Sequence, residues 1–378
     1  MDMLEMWFNR GMKIDTDDLD EIVYGTALLA SGGGGDPYIG KLILQQAIEQ
    51  YGPARLLDPS RISDRALVVV VGAVGASTVF LERFPSLDAL ICAVALIERS
   101  AGRKIDALVA AEAGGLNALL PIALGLRLNL PVIDADGMGR AFPEGQMMTY
   151  GIYGGAASPM AIVDDHLNLT VVGCDDNRKT EELSRSIVAQ MGNSAMGACY
   201  PMKGKFFKSA CVRNTISLSK EIGGVALTAR QAKHNANDAL IEFFANRAKD
   251  PRCAATLFTG KITDVMSDIG GGFLRGAVKM ESNAGDENCE IEFRNENLIA
   301  RVNGDIAALV PDIITVLEHD TGAPITVENL RFGQRVTVFA IEAPPLLKTP
   351  KALEVIGPRA FGYDHDYQPL NALHVRAA

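Results

Sequence analysis

Residues 109–144, VAAEAGGLNALLPIALGLRLNLPVIDADGMGRAFPE, hold the two apolar runs on which the fold depends. The runs at residues 107–113 and 131–134 have the apolar composition of buried parallel strands. Four acidic residues lie near the ends of these runs: Glu112, Asp134, Asp136 and Glu144. Ligands of open α/β sheets bind outside the carboxyl ends of strands, and a buried acid needs a partner. The stretch therefore predicts a site that meets a metal, Arg140 or a substrate N–H group.

The flanking segments extend this pattern into an alternation of strands and helices. A third apolar run at residues 66–76, ALVVVVGAVGA, predicts another buried strand. Apolar residues recur at helical spacing around the strands, at residues 17–30, 38–51, 86–100 and 116–128. Strands and helices in this rhythm form βαβ units. The first half of the chain is therefore predicted to be an α/β domain with a mainly parallel sheet.

The second half of the chain shows a different pattern. One helix is predicted at residues 177–191, and a longer helical stretch at residues 217–248 is interrupted at Gly223-Gly224. Beyond residue 251, short alternating runs are separated by Gly, Asn and Asp. Such runs indicate antiparallel strands of a small β-barrel or a sandwich.

Length and charge limit the class of protein. A chain of 378 residues favours two domains, which we place at residues 1–175 and 176–378. A net charge of −10 argues against nucleic acid as a partner. The apolar runs are shorter than the ~20 residues of a membrane span, and the N-terminus lacks the features of a signal peptide. We expect a cytoplasmic protein without a membrane partner. Because acidic cytoplasmic proteins of this size often form symmetric oligomers, we also expect a homo-oligomer.

A tetraglycine loop at residues 32–35 separates the first two predicted helices, with Asp36 as the expected N-cap of the second. Because N–H groups ahead of a helix attract anions, Gly33, Gly34 and Gly35 are candidate substrate-binding residues. The loop follows a helix and lacks the P-loop and dinucleotide signatures, so no nucleotide is expected. The alternative is a helix break that needs positive φ or the close approach of another backbone.

The strand-end acids have a catalytic and a structural interpretation. Glu112 and the helix start near Asn117 aim a carboxylate and free amides into one crevice, while Asp134 and Asp136 share a face of their strand. The candidate catalytic residues, which are also the ligands if a divalent metal is bound, are Glu112, Asp134 and Asp136. The further candidate substrate-binding residues are Asn117, Arg140 and Glu144.

In the structural interpretation the same acids only hold loops together. Asp136-Gly137 then forms a turn, and Asp134 accepts hydrogen bonds from loop amides. Glu144 then pairs with Arg140.

Other reactive side chains are isolated in the sequence. His166 follows two aspartates and would help acids to hold zinc, or it lies at the surface. His365 between two aspartates suits a general base or a solvated tail. Lys261 and Arg275 lie beside strand-end glycines, where they bind a substrate carboxylate or face solvent. Six scattered cysteines predict neither a disulfide framework nor a zinc site, and Cys199 is the first candidate nucleophile.

Several segments together resemble a bacterial family that was formerly a domain of unknown function and is named for S-methyl thiohydantoin desulfurase. The segments are ALLASGGGGDPYIG, residues 111–144 (AEAGG to RAFPE), LFTGKITDV with GGFLRG, PDIITVLEHDTGAPI, LRFGQRVTVFAI and VIGPRAFGYD. The resemblance covers residues 17–369. It implies an N-terminal three-layer α/β domain and a C-terminal portion that contains a β-barrel. It also implies hydrolysis at the sulfur-bearing carbon of a five-membered thiohydantoin ring.

The resemblance turns the acid cluster into a mechanistic hypothesis. Glu112 would activate water directly or through a metal, and Asp134 or Asp136 would accept ring N–H groups or hold that metal. The glycine-loop amides would stabilise developing negative charge. Family members are often encoded beside hydantoinase/oxoprolinase-type proteins, so a non-catalytic partner subunit of such a complex is the alternative. A nucleotide-dependent enzyme is a third interpretation, and it requires phosphate in the glycine loop.

Overall fold

A computed structural model describes residues 11–374 except residues 77, 249, 271 and 272. Its helices are α1 (Leu19–Leu29), α2 (Pro37–Tyr51), α3 (Leu87–Ala101), α4 (Gly115–Leu128), α5 (Thr149–Ile152), α6 (Asn177–Gln190), α7 (Gly204–Ala210), α8 (Thr215–Gln231), α9 (Ala236–Asn246), α10 (Pro350–Ile356) and α11 (Leu370–His374). In the described part of the chain, no helix is long and apolar enough to cross a membrane.

The strands form two large sheets and one short pair. Those of the first half are β1 (Met12–Ile14), β2 (Ala54–Leu57), β3 (Leu67–Gly75), β4 (Ala107–Ala110), β5 (Val132–Ile133), β6 (Ala135–Asp136), β7 (Met160–Val163) and β8 (Leu169–Val172). Those of the second half are β9 (Ser194–Lys203), β10 (Val212–Arg213), β11 (Ala254–Gly270), β12 (Phe273–Glu281), β13 (Asn288–Arg294), β14 (Glu296–Val302), β15 (Asp305–Leu309), β16 (Ile313–Glu318), β17 (Pro324–Ile325) and β18 (Arg335–Ile341).

The first sheet has the order β1-β2-β5-β4-β3-β9-β7-β8 and is mixed. Its centre, β2-β5-β4-β3, is parallel as the βαβ pattern predicts. The strands on either side, β1 and β9-β7-β8, pair antiparallel, so the expectation of a mainly parallel sheet is confirmed only for the centre. Strand β9 lies after residue 175 and nevertheless pairs with β3, which means that the second half of the sequence completes this sheet.

Alternate residues of β3 bury opposite faces of the first sheet, as the two-residue period of a strand requires. Val69 packs in one apolar cluster with Leu119 of α4. Val68 and Val70 belong to the other cluster, which contains Phe207 of α7. Helices therefore cover both faces of the sheet in three layers, and the strand has no solvent-facing side to carry polar residues.

The second sheet is antiparallel throughout, in the order β15-β14-β13-β12-β11-β18-β16-β17. Within the described residues its edge strands β15 and β17 do not pair with each other, so the sheet stays open and the expected β-barrel is not found. One face packs against α1, α8 and α9, and the other has an apolar core of its own. Alternating polarity predicts strands and their pairing, but it does not fix whether a sheet closes on itself.

Helix α8 runs through Gly223-Gly224 without a break, so the interruption that the sequence predicts there is wrong. The break comes instead after Gln231, ahead of α9. A Cβ on Gly223 would lie 2.0 Å from the Glu21 carbonyl oxygen, and one on Gly25 would lie 1.9 Å from the Ser219 carbonyl oxygen. These glycines let α1 and α8 approach backbone to backbone, and tertiary packing outweighs their low helix propensity.

The glycine loop joins the two halves of the molecule. The Ser31 hydroxyl donates to the Ile314 carbonyl oxygen (3.0 Å), and Asn297 N–H donates to the Ser31 carbonyl oxygen (2.8 Å). Val327 N–H donates to the Gly32 carbonyl oxygen (2.9 Å). The carboxyl ends of the parallel strands therefore lie next to the β13–β14 hairpin of the second sheet.

Candidate functional site

A cavity, here called the central cavity, lies where the parallel strands meet the β13–β14 hairpin. Its lining includes six of the candidate residues predicted from the sequence: Gly33, Gly34, Gly35, Glu112, Asn117 and Glu144. Cys199 lines it as well. Glu296 enters from the hairpin, so both halves of the molecule contribute acidic side chains to one space.

Glu112 is a buried carboxyl group with a defined orientation. Its side chain follows the end of β4 and is 6% exposed. Asn117, in the first turn of α4, donates from Nδ2 to Glu112 Oε1 at 2.7 Å. The same amide is held by β3, because its Oδ1 accepts from Ala73 N–H at 2.7 Å. Burial raises the pKa of Glu112 to about 7, although the hydrogen bond from Asn117 opposes this.

Glu296 is the second buried carboxyl group of the cavity, and it is 4% exposed. Burial raises its pKa well above the usual range, and the nearby Glu112 raises it further. Its Oε2 is buried and has no hydrogen-bond partner among the described residues. A buried polar atom without a partner is costly, so this oxygen is available to a bound molecule.

Arg140 supplies the positive charge behind the two carboxyl groups. Its guanidinium is fully buried and donates to three backbone carbonyl oxygens, of Ala141 (2.9 Å), Asp312 (2.6 Å) and Asn297 (2.9 Å). Burial lowers the pKa of Arg140 to about 10, and the charges of Glu296 and Glu112 oppose this. One buried cation does not neutralise two carboxylates, which favours a state with at least one carboxyl group protonated.

The glycine loop allows close contacts as well as positive φ. Gly34 has φ +75°, and a Cβ there would lie 2.7 Å from the Gly114 carbonyl carbon. Gly33 does not need positive φ, but a Cβ there would lie 2.3 Å from Glu296 Oε1. The N–H of Gly33 already donates to the Ala30 carbonyl oxygen (3.0 Å). The loop thus accommodates a second backbone and a carboxyl group, and Asp36 caps the next helix as expected.

Asp134 and Asp136 lie outside the lining of the central cavity. Asp134 Oδ1 accepts from the N–H groups of Ile216 (3.0 Å) and Ser217 (3.2 Å), at the start of α8. Asp136 Oδ2 accepts from Met138 N–H (2.8 Å) and Gly139 N–H (2.6 Å). Both side chains hold backbone amides, as the structural interpretation predicts.

Arg140 and Glu144 do not pair with each other. The donors of Arg140 bind carbonyl oxygens, and Glu144 forms an ion pair with Arg294 of β13. Gln146 Nε2 also donates to Glu144. Glu144 therefore connects the wall of the central cavity to the second sheet.

The remaining nominated side chains lie outside the central cavity, except Cys199. Burial raises the pKa of the Cys199 thiol to about 12, which leaves little thiolate at neutral pH, and all six cysteines are free. His166, His365 and Lys261 are exposed. The two aspartates beside His365 pair with Arg359 instead.

The donor set does not fit a divalent metal. Of the three proposed ligands only Glu112 lines the cavity, while Asp134 accepts from the start of α8 and Asp136 accepts from the turn after β6. Within the part of the chain that the structure describes, no group of three or more His, Cys, Asp or Glu side chains is placed to hold a metal ion.

Sequence reasoning missed the side chains that the β13–β14 hairpin contributes. Arg294 and Glu296 are opposite each other in the strand register of this hairpin, on either side of Asn295, whose φ is +59°. The available signal was local: Glu296 is a charged residue two positions ahead of the apolar run 298–300, and it follows an Arg-Asn turn. Nothing in that signal indicates which distant strand end the hairpin would meet.

Comparisons with known proteins agree with this architecture. Residues 17–173 match the model of the S-Me-THD-like N-terminal domain, and residues 175–370 match that of the S-Me-THD-like C-terminal domain. No curated protein matches the chain. The chain is similar to a protein from Chromobacterium violaceum whose X-ray structure was determined by the Northeast Structural Genomics Consortium. The TM-score is 0.79 at 23% identity over 95% of this chain and 100% of that one, which shows a shared fold. On the two domain matches, the chain belongs to the S-Me-THD-like family.

Proposed function

We propose that this chain hydrolyses a five-membered cyclic amide of the S-methyl thiohydantoin type, with Glu112 as the base that activates water. The observation that carries the proposal is that two buried carboxyl groups, Glu112 and Glu296, line one cavity at the strand ends. A pKa of about 7 for Glu112 suits a group that takes and returns a proton at neutral pH. The matched family carries the name S-Me-THD-like, which refers to the activity of a relative. That activity is on a ring of the same type, so the name supports the proposal.

The reaction replaces the S-methyl group with oxygen from water. The water oxygen forms a bond to the sulfur-bearing ring carbon while one water proton passes to the Glu112 carboxylate. The carbon–sulfur bond then breaks with its electron pair on sulfur, and Glu112 returns its proton to the sulfur, which releases methanethiol. Loss of the thiolate leaves the second water proton on the new oxygen, and its transfer to a ring nitrogen gives the hydantoin product. Each proton and electron pair is therefore accounted for without a cofactor.

Glu296 has a role that differs from that of Glu112. In its protonated form it donates from Oε2 to the ring heteroatom that gains negative charge as water attacks. A carboxylic acid that stays neutral in an apolar site is a known type of hydrogen-bond donor in catalysis. Asn117 positions the base, because it donates to Glu112 Oε1 while β3 holds its own amide.

The test is methanethiol release by the purified chain from S-methyl thiohydantoins with different ring substituents, with the corresponding hydantoins as controls. Release in proportion to the protein concentration supports the proposal. Absence of release from folded protein across the panel, including samples supplied with zinc, manganese or magnesium, contradicts it and favours a non-catalytic partner subunit. Ring opening of the hydantoins alone would place the reaction at a different bond.

A further inference from the structure

Gln146 lines the central cavity and carries an amide group whose oxygen is unused. It lies in a short 3₁₀ helix, Gly145–Met147, directly after Glu144 of the cavity wall. The amide nitrogen Nε2 donates to Glu144 Oε2, whereas the amide oxygen Oε1 is buried and has no hydrogen-bond partner among the described residues. A buried acceptor without a partner is costly, and native structures keep few of them. The oxygen therefore indicates a donor that a bound molecule supplies.

The neighbours of Gln146 fix which end of its amide is free. Glu144 forms an ion pair with Arg294, and a carboxylate can only accept hydrogen bonds. Rotation of the amide by half a turn would place Oε1 against the Glu144 carboxylate, so that two acceptors would meet. The backbone at the start of the 3₁₀ helix is held as well, because Gly145 N–H donates to Glu181 Oε2 at 3.1 Å. The free end of the amide is therefore the oxygen.

Gln146 differs from Glu296, which also lines the central cavity and also has a buried oxygen without a partner among the described residues. A carboxyl group donates or accepts according to its protonation, but an amide oxygen only accepts. In the proposed reaction Glu296 donates to the ring atom that gains negative charge. Gln146 instead requires a donor from the ligand, and a cyclic amide has one on a ring nitrogen. The two side chains together suit a ring with one nitrogen that accepts and one that carries hydrogen.

We propose that Gln146 Oε1 accepts a hydrogen bond from a ring N–H group of the substrate, so that the chain takes cyclic amides with a free ring N–H and rejects those alkylated at that nitrogen. This inference rests on the proposed function, because it assumes that a ring occupies the central cavity. A site that binds an N–H group discriminates strongly against an analogue without it, since the acceptor then stays buried and unpaired.

Calorimetry with hydantoins tests the proposal without turnover. The probes are hydantoin, its two N-methyl isomers, and the isomer methylated on the ring carbon, which keeps both N–H groups and controls for the size of the methyl group. We expect one N-methyl isomer to bind the wild type about tenfold to a hundredfold more weakly than the carbon-methylated probe. Equal binding of the three methylated probes overturns the proposal, and so does the absence of hydantoin binding by the folded chain.

Gln146→Met should bring the affinity ratio of those two probes towards one, because methionine has a similar length and no carbonyl group. Gln190→Met is the matched control, since Gln190 is an exposed glutamine at the end of α6, and it should keep the wild-type ratio. The affinities form a double-mutant cycle between the side chain and the ligand N–H group, so a loss of packing that affects both probes cancels. Gln146→Leu carries the same expectation if Gln146→Met does not fold. An unchanged ratio in the Gln146 variant, or the same fall in the control, overturns the proposal.

The outcome is separable from that of the proposed function. The hydantoin probes lack a leaving group, so their binding does not depend on thiol release. A preference for free N–H groups that depends on Gln146, together with no thiol release, would keep this binding role and remove the desulfurase reaction. Thiol release without any such preference would do the reverse.

Discussion

Glu112→Gln should make the protein more stable at alkaline pH while it removes the proposed base. In the folded chain, burial raises the pKa of Glu112 to about 7 from the value of 4.5 that a solvated glutamate has. Between these two pH values the folded state binds the proton more tightly than the unfolded state does. The contribution of the Glu112 carboxyl group to the free energy of unfolding is therefore fully present below pH 4.5 and is lost as the pH rises through 7. Glutamine mimics the protonated acid and does not titrate, so the variant escapes this loss.

The magnitude follows from the two pKa values. Each pKa unit corresponds to about 1.4 kcal/mol, so the interval from 4.5 to about 7 corresponds to about 3 kcal/mol of unfolding free energy. Part of this is already lost at pH 5. The advantage of Glu112→Gln over the wild type should therefore grow by about 2 to 3 kcal/mol between pH 5 and pH 8.

Urea unfolding of both proteins at pH 5 and pH 8 measures this difference. Glu242→Gln is the matched control, because Glu242 is an exposed glutamate on α9 and its replacement should change little at either pH. A Glu112→Gln advantage that does not change with pH would refute the argument that burial of this carboxyl group governs its ionisation.

Three further substitutions test other parts of the structure. Arg140→Met should lower the free energy of unfolding in urea by about 3–5 kcal/mol, because it leaves the buried carbonyl oxygens of Ala141, Asp312 and Asn297 without their donor; a loss below about 1 kcal/mol would contradict this. Gly223→Ala should lower the melting temperature in calorimetry despite the better helix propensity of alanine, since its Cβ would lie 2.0 Å from the Glu21 carbonyl oxygen; a higher melting temperature would contradict the packing argument. In assays of thiol release, Glu296→Gln should retain most of the rate because it keeps a donor, and Glu296→Ala should lose about a hundredfold; equal losses would contradict the donor role.

The first half of the site could be predicted because its signals are local. Apolar runs long enough to be buried strands end at Glu112, and glycines and a helix start follow it directly. The rule that ligands bind at the carboxyl ends of such strands then identifies the edge of the sheet. Gly33, Gly34, Gly35 and Asn117 followed from the same kind of local pattern, and they line the cavity with Glu112.

The second half of the site depends on tertiary contacts that the sequence does not encode locally. Glu296 lies on a hairpin of the other sheet, and its burial arises only when that hairpin docks against the glycine loop. Asp134 has the strand-end position of a catalytic acid, yet α8 begins beside it and uses it as an acceptor for two backbone amides. The period of the apolar residues and the spacing of the acids do not show whether an acid at a strand end lines a cavity or accepts hydrogen bonds from the start of a helix.

Fold-level errors have the same origin. Alternating runs after residue 251 specify antiparallel strands, but helices α1, α8 and α9 cover one face, and the sheet remains open. Gly223 reads as a helix break from propensity, yet it is the contact point of two helices. In both cases a neighbouring element decides the outcome.

Methanethiol release at pH 6 and pH 8 by the wild type, Glu112→Gln and Glu242→Gln tests the role of Glu112 most directly. A base must be ionised to accept a proton, so with a pKa of about 7 the wild-type rate should rise about tenfold between these pH values. Glu242→Gln should behave as the wild type, and Glu112→Gln should release no thiol at either pH. Near-normal release by folded Glu112→Gln would contradict the account.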